Sequence, residues 1–287
     1  MTILAVIALF ALAIAGLAPG RQHLRGTTLM AAWCWAIGAI AMIAVVEIMA
    51  ASASLAAGSP WLSFARYAAA MASFCPTMAL LGAKRPQDRA WNWIVLSLWA
   101  VLLVPAIQAA MTRPGEPIRL HAMWTGFVLL LTLIGPVNGL PTRFWPSVLL
   151  VGVGQLGLVW DYLPLGAENF NSPLLGLAAF CAAVLIAAAG WPRQRPAENQ
   201  VDQTWIDFRN MYGAIWGLRV AERFNQEAER NDLPVMLTWH GLVLKTGNDI
   251  EKYRLATTKT LRSLLLRFVS ADWIDRRLGG EADANRL

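Results

Sequence analysis

The stretch TLMAAWCWAIGAIAMIAVVEIMAASAS, residues 28–54, carries a single acidic or basic side chain, Glu47, in a run longer than a bilayer's hydrocarbon core requires. A core of ~30 Å is crossed by roughly 20 apolar residues in helix, so this run predicts a transmembrane helix. Six more runs ended by charge, Pro or Gly lie around it, at 2–17, 63–83, 91–111, 121–140, 145–163 and 173–191. Backbone inside hydrocarbon must satisfy its own hydrogen bonds, which makes these helices and not strands. The expectation is an all-α polytopic membrane protein of about seven transmembrane helices, with a small α+β domain at its C-terminus.

Composition agrees. The chain is 57% hydrophobic and 15% charged, too apolar for a soluble protein of 287 residues. The charge is uneven: residues 1–199 hold 11 of the 24 Lys and Arg and 6 of the 18 acids, and residues 200–287 hold the other 13 and 12. The excess of +6 thus sits almost wholly in the apolar part. A nucleic-acid binder would concentrate it on the soluble part, so nucleic acid is not an expected partner and the lipid bilayer is.

The first run has the length of a signal peptide but no basic residue before it; Arg21 and Arg25 follow it. It reads as an anchor with the N-terminus outside. Alternate loops keep the same bias. Arg21 and Arg25, Lys84, Arg85 and Arg89, Arg143, then Arg193 and Arg195 fall on one side; the loop at 57–61, Arg113, Glu116 and Arg119, then Glu168 fall on the other. The C-terminus is therefore expected in the cytoplasm. Trp61, Trp91, Trp93, Trp124, Trp145, Trp160 and Trp191 lie near the helix ends, where indole favours the headgroup level.

Three units are expected: a membrane domain at 1–191, a linker at 192–200 and a cytoplasmic domain at 201–287. In the linker, PRQRPAENQ, two prolines stop the last helix. From Val201 to Asn231 the residues Trp205, Phe208, Tyr212, Ile215, Trp216, Val220 and Phe224 recur at three and four, which predicts one amphipathic helix. Pro234 ends it. VMLTW and LVLKT around His240-Gly241 predict a hairpin, with Gly241 at positive φ. Asn248 with Glu251 marks a helix start for 250–269, a short helix follows near Asp272, and 279–287 reads as a frayed end. About 85 residues is near the lower limit for an independent core, so this domain is expected to lean on the membrane part or on a partner.

Ionisable residues within membrane helices are costly, and each is a functional candidate. Glu47, Arg66, His121 and Asp161 all fall toward the outer face, with Gln155 on the sixth helix as a candidate for an interhelical hydrogen bond or for a place beside Glu47. They could line a pocket for a cation or small ligand, or they could simply pair and pack. Gly152-Val153-Gly154-Gln155-Leu156-Gly157 spells a dinucleotide fingerprint, but without the strand, turn and wet helix end that mechanism needs it predicts close helix packing. Pro76, Pro105 and Pro136 each fall within a predicted helix, where they would free backbone carbonyls for local bending or for a ligand.

No cofactor is expected. Bis-histidine haem and intramembrane zinc are excluded because His121 is the lone histidine of the membrane runs, and a retinal lysine is missing from the last helix. Cys34, Cys75 and Cys181 sit in apolar runs without metal-ligand spacing. In the tail, Trp205, Phe208, Arg209, Trp239 and His240 are of the types that interfaces concentrate, while Trp205, Trp216, Trp239 and Trp273 could instead form the small core together.

These readings favour a non-catalytic multi-pass subunit or scaffold whose cytoplasmic domain docks a partner, such as other subunits of a membrane complex. A transporter or ligand-sensing receptor built around Glu47 is the alternative. A lipid-headgroup enzyme using His121 and Asp161 as acid and base comes third.

Overall fold

Proline decides where the apolar runs stop being single helices. The computed structural model describes residues 3–52, 59–113, 116–164, 172–194, 196–197, 199–245 and 253–278, and it is mostly helical with one small sheet. α1 (Ile3–Leu17) turns into the short α2 (Gly20–Leu24), and α3 is Met30–Ala51. The third apolar run is split into α4 (Pro60–Ala72) and α5 (Cys75–Leu81), the fourth into α6 (Asp88–Leu102) and α7 (Val104–Thr112). α8 (Ala122–Gly139) keeps Pro136 inside it; α9 (Trp145–Val159) ends in a 3-10 turn, Trp160–Tyr162; α10 is Ser172–Ala188.

Among the described residues, four stretches are long and apolar enough to cross a membrane: Ile3–Leu24, Met30–Ala51, Ala90–Thr112 and Ala122–Gly139. The other three expected runs are helical but shorter. At 1.5 Å per residue the 13 residues of α4, the 15 of α9 and the 17 of α10 each fall short of ~30 Å. Pro76 explains the third run, because it offers no amide to the Ala72 carbonyl one turn earlier and the chain turns at Ser73 and Phe74.

Carbonyls at these breaks are taken up by neighbouring helices. The Gln155 amide donates to the Ser73 carbonyl at 3.0 Å, and the Tyr67 hydroxyl donates to the Leu102 carbonyl at 3.0 Å, beside the Pro105 break. The glycine fingerprint serves packing: a Cβ on Gly154 would lie 3.1 Å from the Gly176 carbonyl of α10, and one on Gly176 would lie 2.6 Å from Leu158. Side chains there would force α9 and α10 apart.

In the tail, α11 (Gln200–Arg230) starts where the Asn199 side chain accepts the Asp202 amide at 2.7 Å. It is not the single expected helix. At Gly213 the backbone leaves helical geometry (φ 77, ψ −171) and two helices meet at a break. β1 (Val235–Thr238) pairs antiparallel with β2 (Gly241–Leu244), and Gly241 has φ 139, the positive value expected of it. α12 (Arg254–Leu265) and α13 (Ala271–Leu278) follow. The capping pair Asn248 and Glu251, the loop near 57, Glu168, Arg195 and the end 279–287 lie outside the described residues.

The tail's core holds Trp205, Phe208, Phe224, Leu261, Leu265 and Trp273, and Leu29 and Ala83 of the N-terminal region complete it. That contact shortens the expected helix at 250–269: it ends at Leu265, and Val269 forms a bridge with Thr27. Thr28 donates its amide to the Phe268 carbonyl, Arg85 to Arg267 and Ser270 to Gly26. Residues 267–270 thus pair with loops of the apolar part, which supply bonds a further helical turn would have made internally.

Candidate functional site

Glu47 lies one turn before the end of α3, and Arg66 lies in the second turn of α4. Pro60 at the first position of α4 starts that helix without wasting an amide, which sets Arg66 beside α3. Arg66 Nε donates to Glu47 Oε1 at 2.7 Å and Nη2 to Oε2 at 2.8 Å. The planar fork matches both carboxylate oxygens, the strongest form of the pair. Glu47 is 4% exposed and Arg66 38%. Burying a carboxylate alone would cost several kcal/mol, and the two bonds of the fork offset that cost.

Asp161 and Tyr162 of the 3-10 turn line the same recess, with Ile43, Val46 and Leu158 closing it. Its volume is about 20 Å³, room for about one water. The Tyr162 ring meets Tyr67 edge to face at 4.9 Å between centroids. The chemistry available is a paired acid and base with a second carboxylate, wide enough for water or a small ion.

His121 and Gln155 are not among the lining residues. The backbone brings their neighbourhoods close, since the Leu120 amide donates to the Tyr162 carbonyl at 2.8 Å. His121 itself is exposed and caps α8, its Nδ1 facing the Met123 amide at 3.4 Å. Gln155 is buried and committed to Ser73. Among the described residues no three of His, Cys, Asp and Glu gather as a metal site, and the three cysteines are free thiols.

Of the tail residues singled out in the sequence, Trp205 and Phe208 are fully enclosed. The Trp205 indole donates to the Thr238 carbonyl at 2.9 Å, and Phe208 stacks on Tyr212 at 4.6 Å. They hold the tail together and offer no surface. Arg209 lies over the Trp239 ring at 4.7 Å and donates to the Trp239 carbonyl. Burial pushes the Arg209 guanidinium below its ordinary value. The Trp239 indole in turn donates to the Pro141 carbonyl at 3.2 Å, so the hairpin tip touches the loop after α8. Only His240 of this group is exposed.

The chain matches no protein-family model, and no curated protein or solved structure is found to be similar to it. The residues alone therefore carry any functional reading. Sequence reasoning passed over Asn138, Thr28 and Tyr212, which join the tail to the apolar helices. Tyr212 donates to the Phe268 carbonyl at 2.8 Å and lies 3.0 Å from the Thr28 hydroxyl, which donates to the Ala83 carbonyl at 2.7 Å. A glycine amid a helical pattern, Gly213, was the available signal for this joint.

Proposed function

We propose that the chain is a non-catalytic, seven-span membrane subunit or scaffold, with its N-terminus outside and a cytoplasmic tail that docks a partner within a larger membrane assembly. The passes would be α1 with α2, α3, α4 with α5, α6 with α7, α8, α9 and α10. The alternation is supported by the loops after the first, third and fifth passes, which all touch the tail through Gly26, Arg85 and Pro141 and carry the basic excess.

The observation that carries the scaffold reading is how the polar groups are spent. Glu47 and Arg66 occupy each other, Gln155 and Tyr67 are committed to backbone carbonyls, and the recess has space for about one water. The tail, by contrast, turns an apolar cross-strand pair outward. Met236 and Val243 stand opposite each other, 39% and 48% exposed. Strand addition is disfavoured as the docking mode, because Asn225 bonds both the amide and the carbonyl of Leu237 and Asp202 accepts the Leu242 amide, which occupies both edges of the hairpin.

Purification in mild detergent tests this. Stoichiometric co-purification of other membrane subunits is expected, lost in a Met236→Asp, Val243→Asp double variant that stays folded. A protein that comes out alone and monodisperse would overturn the reading.

A transporter or ligand-sensing receptor is the second reading, favoured by the convergence of Glu47, Arg66 and Asp161 on one recess. Its guest would be water or a small ion. Glu47→Gln would then change ion flux or binding in proteoliposomes, and unchanged behaviour would remove it.

A further inference from the structure

Where residues 267–270 pair with the loops of the apolar helices, four basic side chains come to one seam. The Arg85 amide donates to the Arg267 carbonyl at 2.8 Å, and the Ser270 amide to the Gly26 carbonyl at 2.6 Å, one residue from Arg25. Lys84 precedes Arg85. Arg25, Arg85 and Arg267 are exposed, and Lys84 is half-buried. No ion pair engages any of the four among the described residues, although Asp272 stands two residues beyond Ser270. Like charges gathered by backbone pairing repel one another.

The seam also lies at an apolar boundary. Leu266, next to Arg267, is 38% exposed, and α6 rises from the same loop with its Trp93 outward at the level indole favours. Apolar side chains beside unpaired cations suit a ligand that is anionic at one end and apolar at the other.

We propose that this seam binds the phosphate headgroups of anionic phospholipids, with Lys84, Arg85 and Arg267 as the binding charges and Arg25 beside them. The proposal rests on the membrane-spanning reading above. By binding both a loop of the helical region and the tail, a lipid phosphate would staple the tail to the bilayer surface, so anionic lipid would govern how firmly the tail is held. Each basic residue near a charged membrane surface contributes about fivefold in binding.

The test uses the full chain purified in neutral detergent, with lipid retention read by native mass spectrometry in equimolar phosphatidylglycerol and phosphatidylcholine. The wild type is expected to retain phosphatidylglycerol preferentially, with the preference falling as salt rises. A Lys84→Gln, Arg85→Gln, Arg267→Gln variant is expected to lose roughly tenfold or more of it. A variant with the same charge change on the far part of the tail, Arg223→Gln, Arg230→Gln, Lys245→Gln, should stay within about twofold of wild type. The backbone bond between 85 and 267 survives these changes, and melting in phosphatidylcholine alone checks that the fold does too. Equal retention of the two lipids by the wild type, or equal losses in the two variants, would overturn the proposal. So would displacement of the lipid by millimolar inorganic phosphate, which would make this a site for the free anion. Release of the protein from membranes by alkaline carbonate would instead sink the spanning reading itself.

Discussion

Asn138 near the end of α8 occupies the space that a side chain on Gly213 would fill. A Cβ on Gly213 would lie 2.2 Å from Asn138 Nδ2. Asn138 Oδ1 accepts the Ile215 amide at 2.9 Å, and Nδ2 approaches the Tyr212 carbonyl at 3.4 Å. The asparagine substitutes for the helical bonds that α11 gives up at its break, and so keys the tail to one position on the helical region.

Gly213→Ala should therefore act twice, through a backbone conformation confined to glycine and through the collision with Asn138. A loss of about 2 kcal/mol or more is expected. It would be read as a lower unfolding midpoint in detergent with early proteolysis of the tail. Wild-type stability in this variant would mean the break is not held as described.

For the Glu47 and Arg66 pair, removing one partner should hurt more than removing both. Glu47→Met leaves a guanidinium beside apolar α3 and is expected to cost about 2 kcal/mol, less than a fully buried pair because Arg66 keeps some exposure to solvent. The Glu47→Met, Arg66→Met double variant should recover most of that loss. Additive losses across the mutant cycle would show that the two groups do not interact.

Tyr212 predicts a pH effect with a definite sign. Burial raises its phenol well above the ordinary value of 10.0. The folded state thus favours the neutral form, so the stability it contributes is complete below pH 10.0 and declines as pH rises, because the unfolded chain ionises first. Tyr212→Phe should cost about 1 kcal/mol near neutrality. The gap to wild type should narrow above pH 10.0. A gap that is constant across that range would contradict the assigned burial.

Asn225 is expected to protect the hairpin from pairing with other chains. Asn225→Ala leaves the Leu237 amide and carbonyl open on an edge strand. A destabilisation of about 1–3 kcal/mol is expected, with concentration-dependent association seen by light scattering. Association should be absent from Asn225→Asp if the Leu237 amide is the group that needs covering.

Residues 28–54 and their neighbouring runs determined a helical, membrane-spanning chain, because backbone in hydrocarbon leaves no alternative once enough apolar residues stand in a row. The hairpin around Gly241 and the tail helices were also local matters, legible from turn chemistry and from periods of three and four. The pairing of Glu47 with Arg66 was half legible: charge in an apolar run demands a partner, but spacing could not choose whether Arg66 pairs with Glu47 or with Asp161. Tertiary structure alone decided the rest. Gln155 could be read as an interhelical hydrogen bond or as a neighbour of Glu47, and tertiary structure chose the first: it serves Ser73, because a break in another helix left that carbonyl needing a donor. Trp205 could be read as interface or core and Phe208 as interface, and both are core, since Leu29 and Ala83 enclose them with the rest of the tail. Gly213, Asn138 and the basic seam around Arg85 and Arg267 exist only where distant segments meet, and a periodicity read along one segment holds no information about what arrives from another.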